Sequence, residues 1–146
     1  MTSRGVHSFC QAGLLLVNLL SIGLLAVAQP VVAAPAALTL QDIDGQAVLI
    51  AHDGTYLGKV SSTTWDADSI CTSWGEYGST WGAHSIRTTW GQYGSRWSTE
   101  SAYNDWTTTP PLIVHERQVV GYVTKNTTLR GAVDPDVLFA IYGCSS

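Results

Sequence analysis

Charge is scarce in this chain. Only 12% of its 146 residues are Asp, Glu, Lys or Arg, and seven basic side chains face eleven acidic ones. The basic stripe that phosphate-backbone binding needs is missing, which excludes nucleic acid as a partner and disfavours anionic lipid surfaces. Phenylalanine and methionine are scarce too, with two and one, so a core must be filled by other residues. No Gly-x-Ser-x-Gly elbow, His-Glu-x-x-His helix or phosphate-cradling glycine loop occurs. No cofactor is implied, and the chain does not read as an enzyme. Cysteine is limited to Cys10, Cys71 and Cys144.

Only one long apolar run is present. Arg4 and His7 precede Ala12 to Ala28, an apolar segment that ends in the small residues Ala26 and Ala28. This order of basic start, apolar centre and small-residue site predicts a secretory signal peptide over 1–28, with cleavage after Ala28 or near Ala33-Ala34. The run is near the lower length limit for crossing a bilayer, so no stable membrane insertion is expected after cleavage. A Pro/Ala-rich linker follows over 29–37, and 38–146 reads as a single domain. With Arg4 removed, six Lys/Arg stand against eleven Asp/Glu. The location expected is secreted, periplasmic or otherwise extracytoplasmic. There, the remaining pair Cys71 and Cys144 is expected to form a disulfide.

The centre of the domain is an internal repeat of sixteen residues. Trp65, Trp81 and Trp97 share one column and Trp74, Trp90 and Trp106 another, which accounts for all six tryptophans. Ser69, Ser85 and Ser101 align, followed by Ile70, Ile86 and Ala102. Two full units read SICTSWGEYGSTWGAH and SIRTTWGQYGSRWSTE, and a third breaks off before Pro110-Pro111. Ser can cap a helix start, Ile and Trp four apart share a helical face, and Gly75 or Gly91 can stop the helix. Each unit over 65–109 is therefore expected to be one or two helical turns joined by an aromatic loop. A short unit cannot bury its own apolar face, so the repeats must stack on something else.

The flanks offer it. Residues 51–63 align without gaps on 114–126, pairing His52 with His115, Gly58 with Gly121 and Val60 with Val123. Asp53-Gly54 predicts a type I′ hairpin over 47–62, and by analogy a second hairpin over 111–126 turns at Glu116-Arg117. A C-terminal helix over 134–143 is expected, with Asp134 as N-cap, Pro135 at the first position and Gly143 as stop. The fold class expected is α+β: a small antiparallel sheet from two matching hairpins, with the repeats packed on it.

These motifs resemble a group of exported bacterial proteins, many of them cyanobacterial. Their pattern is a D-G-x-F/Y-L-G hairpin, copies of S-I-x-N-x-Y-G-x-Y-G-S-x-Y-S, then P-P-x-I and a G-Y-L/V-T-x-N hairpin. Here the matching stretches are Asp53 to Gly58, the two units above, Pro110 to Ile113, and Gly121 to Asn126. Trp stands where Tyr is usual. The resemblance implies an exported location and a fold pattern, and no activity.

Several functional readings follow. Identical placement in every copy argues that the Trp columns build the core, leaving Tyr77 and Tyr93, flanked by glycine and polar residues, as the displayed, ligand-binding aromatics. The leading expectation is a non-catalytic domain that binds envelope or extracellular glycan through such aromatics. The alternative is a structural or protein-interaction module whose aromatics are all internal. A small hydrolase using Glu76 and Glu100 is a third. His52-Asp53 and His115-Glu116 would make a divalent metal site if the two hairpin tips met, but two solvated polar turns are the simpler reading, and no metal is expected. Asp66 and Asp68 are explained by capping. Asn126-Thr127-Thr128 matches a glycosylation sequon, relevant only in a eukaryotic host. Nothing in the sequence fixes an oligomeric state.

Overall fold

A computed structural model describes residues 37–144. The expected signal peptide and the part of the expected linker before Ala37 lie outside the described residues.

The two alternating segments form two hairpins that meet edge to edge. Strands β1 (Ala47–Ile50) and β2 (Tyr56–Val60) make the first, and β3 (Leu112–His115) and β4 (Gln118–Val123) the second. β1 and β3 pair antiparallel from Ala47 opposite His115 to Ile50 opposite Leu112, so the seam relates the hairpins by a pseudo-two-fold axis. Ala47, Leu49, Val60, Ile113 and Val123 are buried from this sheet in the core, following period-two alternation, and Leu57 joins them where a bulge in β2 interrupts that alternation. A fifth strand that the sequence does not announce, β5 (Ala132–Val133), joins parallel to β4. The result is a mixed five-stranded sheet in the order β2-β1-β3-β4-β5, with one helix: a small α+β fold.

The first turn departs from the geometry expected of it, and the second keeps the two-residue loop at Glu116-Arg117. In the first hairpin Gly54 takes φ 90°, while Ala51 N–H donates to the Thr55 carbonyl at 2.8 Å and Gly54 N–H to the Ala51 carbonyl at 2.9 Å. That is a three-residue loop with glycine in the left-handed position, not a two-residue type I′ turn. Asp53 stabilises it by accepting from Thr55 N–H at 2.9 Å. The second hairpin has the two-residue loop, with Glu116 at φ 49° and Arg117 at φ 66°. Two L-residues in this region cost about 1–2 kcal/mol each. Replacing them by Asn-Gly (Glu116→Asn with Arg117→Gly) is expected to stabilise the domain by about 1 kcal/mol or more. A urea midpoint that rises with an unchanged slope checks this, and a lowered midpoint contradicts it.

Helix α1 (Pro135–Tyr142) begins where the Asp134 side chain accepts from Asp136 N–H at 2.8 Å. It ends at Gly143 in the left-handed conformation, whose N–H donates to the Ala140 carbonyl at 3.2 Å. Leu138, Phe139 and Tyr142 are its buried face. Tyr142 also ties the N-terminal segment down, donating to the Leu40 carbonyl at 2.5 Å.

The repeats between β2 and β3 contain no helix, against expectation. The first unit is a chain of turns three residues apart: Ser69 N–H to the Asp66 carbonyl, Thr72 to Ser69, Gly75 to Thr72, at 3.0–3.1 Å. The second unit repeats them as Ser85 to Gly82, Thr88 to Ser85 and Gly91 to Thr88. Side chains explain why a helix does not propagate. Ser69, Ser85 and Ser101 hydroxyls accept from the N–H two residues on (Cys71, Arg87, Tyr103) at 3.0–3.1 Å. Thr72, Thr88 and Asn104 donate to the carbonyl six residues back (Asp66, Gly82, Ser98) at 2.5, 2.6 and 2.9 Å. Such local bonds compete with the helical ladder for the same backbone groups.

Both ends of the repeat layer are fastened to the sheet region. Lys59 N–H in β2 donates to the Asp68 carbonyl at 2.7 Å and Ile70 N–H to the Lys59 carbonyl at 3.0 Å. Beyond β4, Lys125 N–H donates to the Ala102 carbonyl at 2.8 Å and the Asn126 amide to the Thr107 carbonyl at 2.9 Å. The layer closes the core with the Ser and Ile columns: Ser69, Ile70, Ser85, Ile86, Ser101 and Ala102 are all fully buried. Cys71, also buried, is joined by a disulfide to Cys144, just past α1, with Cα atoms 4.7 Å apart.

Candidate functional site

The expectation that the tryptophans build the core is overturned. All six face solvent, with exposures between 66% and 90%. The four-residue spacing of Ile and Trp put both on one face only if the segment were helical. In consecutive turns it puts them on opposite sides, so Ile70 is buried and Trp74 exposed. The turns also approach one another too closely to admit an indole. A Cβ built on Gly94 would stand 2.4 Å from the Thr88 carbonyl and 2.6 Å from that of Ile86, and Gly78 meets Thr72 and Ile70 in the same way.

The repeat therefore displays two columns of indole rings, three copies deep. Trp81 and Trp90 bring the columns together, with ring centroids 5.3 Å apart and planes inclined at 56°. Their chain neighbours are small or hydroxyl-bearing: Thr80 and Gly82 beside Trp81, Thr89 and Gly91 beside Trp90, Ser73 and Gly75 beside Trp74. From Ser61 to Pro111 every exposed large apolar side chain among the described residues is a tryptophan; exposed aliphatic residues such as Val119 and Ile141 lie elsewhere. Exposed large apolar side chains in this number mark binding surfaces in soluble domains.

Tyr77 and Tyr93, expected to be the displayed aromatics, are instead structural. Tyr93 is 5% exposed and donates its hydroxyl to Asp53 at 3.1 Å, and burial raises its pKa. Tyr77 is half-buried, edge-on to Tyr56 with centroids 5.0 Å apart. The tryptophan exposure contradicts the expectation, in the structural or protein-interaction alternative, that all the aromatics are internal.

The remaining candidates separate. The antiparallel pairing of β1 with β3 sends the tips carrying His52-Asp53 and His115-Glu116 to opposite ends of the sheet, so they cannot share a metal ion. Glu76 and Glu100 are each engaged by the other's column: Glu76 accepts from His84 N–H at 3.2 Å and contacts its Nδ1 at 3.0 Å, and Glu100 accepts from Gln92 at 2.5 Å. Asp66 accepts from Asp68 N–H at 3.0 Å and pairs with Lys59, whose ammonium lowers the Asp66 pKa. Asn126 of the sequon is buried with its amide nitrogen bonded to Thr107, which removes it as a glycan acceptor.

A second feature lies where the repeat meets α1. A groove of about 570 Å³ runs between Thr80, Arg96, Trp97 and Tyr103 on the repeat side and Asp136 and Phe139 of α1 on the other. The Arg87 guanidinium lies 5.1 Å from the Phe139 ring centre and donates to the Gly78 carbonyl at 3.2 Å. Asp136 accepts from Tyr103 at 2.8 Å and from Lys125 at 2.5 Å, and the Lys125 ammonium holds its carboxyl below the usual range. Burial first, then this carboxylate, pushes the Tyr103 phenol upward. Sequence reasoning did not find this groove, since it joins repeat columns to a helix far along the chain.

Among the described residues, no helix is long and apolar enough to cross a membrane. No family model, curated protein or solved structure matches the chain.

Proposed function

We propose that this domain is a non-catalytic, exported module that holds an extended envelope or extracellular polysaccharide against its tryptophan face. The observation that carries the reading is the two exposed Trp columns, flanked by hydroxyls and glycine and without exposed aliphatic residues. Flat indole faces suit the apolar faces of sugar rings, while Ser and Thr hydroxyls suit sugar hydroxyls. A periodic array also matches a periodic ligand, because a polymer can engage several copies at once and gain by effective concentration. Export is supported by the N-terminal apolar segment and by the Cys71–Cys144 bond, since disulfides persist in oxidising compartments.

The test combines depletion by insoluble cellulose, chitin and peptidoglycan with intrinsic tryptophan fluorescence. The expected result is retention on at least one polymer, with a fluorescence change on adding its soluble oligomers. Trp81→Ala with Trp90→Ala is expected to weaken retention by about tenfold or more, at roughly 1 kcal/mol per ring. The melting temperature should stay nearly constant, because both rings are exposed. Retention by none of the polymers, or retention indifferent to the double substitution, would sink the proposal.

A further inference from the structure

We infer that the groove beside α1 is a subsite for an anionic sugar unit, carboxylated or sulfated, of the polymer held by the tryptophan face. This deepens the function proposed above and rests on it. Continuity is the first argument. Trp97 belongs both to an exposed Trp column and to the groove wall, so a chain held at that end of the column lies beside the groove. Size is the second: about 570 Å³ falls within the usual range for small-ligand sites.

Charge is the third. Arg87 and Arg96 both line the groove, and Lys125 adjoins its rim through Asp136. Three of the seven basic residues of an acidic chain are thus gathered there. The acidic groups nearby are already occupied, Asp134 by Lys125 and Asp136 by Lys125 and Tyr103. Arg87 is committed to the wall through Phe139 and Gly78. Arg96 is exposed at the mouth, and among the described residues its guanidinium makes no hydrogen bond or ion pair, although it attracts Asp136 at longer range. A planar guanidinium beside an indole face and the hydroxyls of Thr80 and Thr89 recognises a sugar ring that carries a carboxylate or sulfate. The overall negative charge of the protein repels polyanions, so any gain in affinity for an acidic polymer must come from a local site.

Three soluble polymers with one backbone test this by affinity electrophoresis or calorimetry: hydroxyethyl cellulose, carboxymethyl cellulose and cellulose sulfate. The expected result is binding of at least one charged derivative about tenfold tighter than the neutral polymer, weakening as salt rises. Arg96→Gln should abolish that preference while leaving neutral binding and melting temperature unchanged. Which derivative gains separates a carboxylate from a sulfate site. Binding of the neutral polymer with no preference for either charged form, or a preference that survives Arg96→Gln, overturns the groove assignment alone. Binding of none of the three overturns both the subsite and the tryptophan-face reading.

Discussion

Reduction of the Cys71–Cys144 bond, or Cys71→Ala with Cys144→Ala, is expected to lower the melting temperature by on the order of 20 °C. The bond spans 73 residues of sequence, and a loop of that length restricts the unfolded chain by roughly 4 kcal/mol. A domain of this size has only about 5–15 kcal/mol of net stability, so the loss is large. Location adds to it. The bond joins the first repeat unit to the end of α1, and the chain between them contains the rest of the repeat, the second hairpin and β5. Without it, the repeat layer keeps its buried Ser and Ile columns and non-covalent ties such as the Lys59–Ile70, Lys125–Ala102 and Asn126–Thr107 bonds, but no covalent link to α1. Thermal unfolding followed by circular dichroism, with and without reductant and with thiol titration to verify reduction, measures the effect. Identical melting of the fully reduced and oxidised forms would show that the bond contributes nothing.

The elements that sequence reasoning reached are those whose signal is local and self-sufficient. Asp134, Pro135 and Gly143 define α1 because an N-cap, a first-turn proline and a left-handed stop act within one helix. The hairpins were legible from alternation and from the match between them, but the seam of β1 with β3 was not, because nothing local says which strands meet. β5 was not, since two residues carry no periodicity and the strand exists only because β4 offers an edge. The hairpin turns show a finer limit. Asp53-Gly54 permits two loop geometries, and strand register selects the longer one, whereas Glu116-Arg117 takes the turn its residues disfavour because the closing pair His115–Gln118 requires it.

The repeat was legible as a repeat but not in its orientation. Equal placement in each copy says that the tryptophans are equivalent, and equivalence is satisfied as well by six exposed rings as by six buried ones. What decides is the backbone. Ser, Thr and Asn side chains spend their hydrogen bonds on nearby main-chain groups, which holds the chain in tight turns and leaves only small or aliphatic columns facing the core. Bulk that cannot enter must project outward. The groove was invisible for another reason: Arg96, Trp97, Asp136 and Phe139 are brought together only by the docking of α1 on the repeat.

That dependence on close backbone approach yields the second large effect. Gly94→Ala is expected to destabilise the domain by about 3 kcal/mol, because a Cβ there meets carbonyl oxygens of Thr88 and Ile86 at 2.4 and 2.6 Å and the Thr88 carbonyl carbon at 2.9 Å. None of these atoms is the end of a side chain that could turn aside; each belongs to the turns that bury Ile86 and Thr88. Gly78→Ala, in the equivalent place, should behave alike, since its Cβ meets the Thr72 and Ile70 carbonyls at 2.5 and 2.7 Å. Gly91→Ala supplies the control within the same unit. Its Cβ would lie 3.2 Å from side-chain atoms of Thr88 and 3.3 Å from the Thr88 carbonyl, a contact that small adjustments relieve, so a loss of less than about 1 kcal/mol is expected. Urea unfolding of the three variants reads out the order. Equal stabilities for Gly94→Ala and Gly91→Ala would mean that the turns are not packed backbone to backbone, and would remove the steric reason for the tryptophans to face outward. A large loss confined to Gly94→Ala and Gly78→Ala would tie the displayed indole columns to the same close approach that fills the core with serine, threonine and isoleucine.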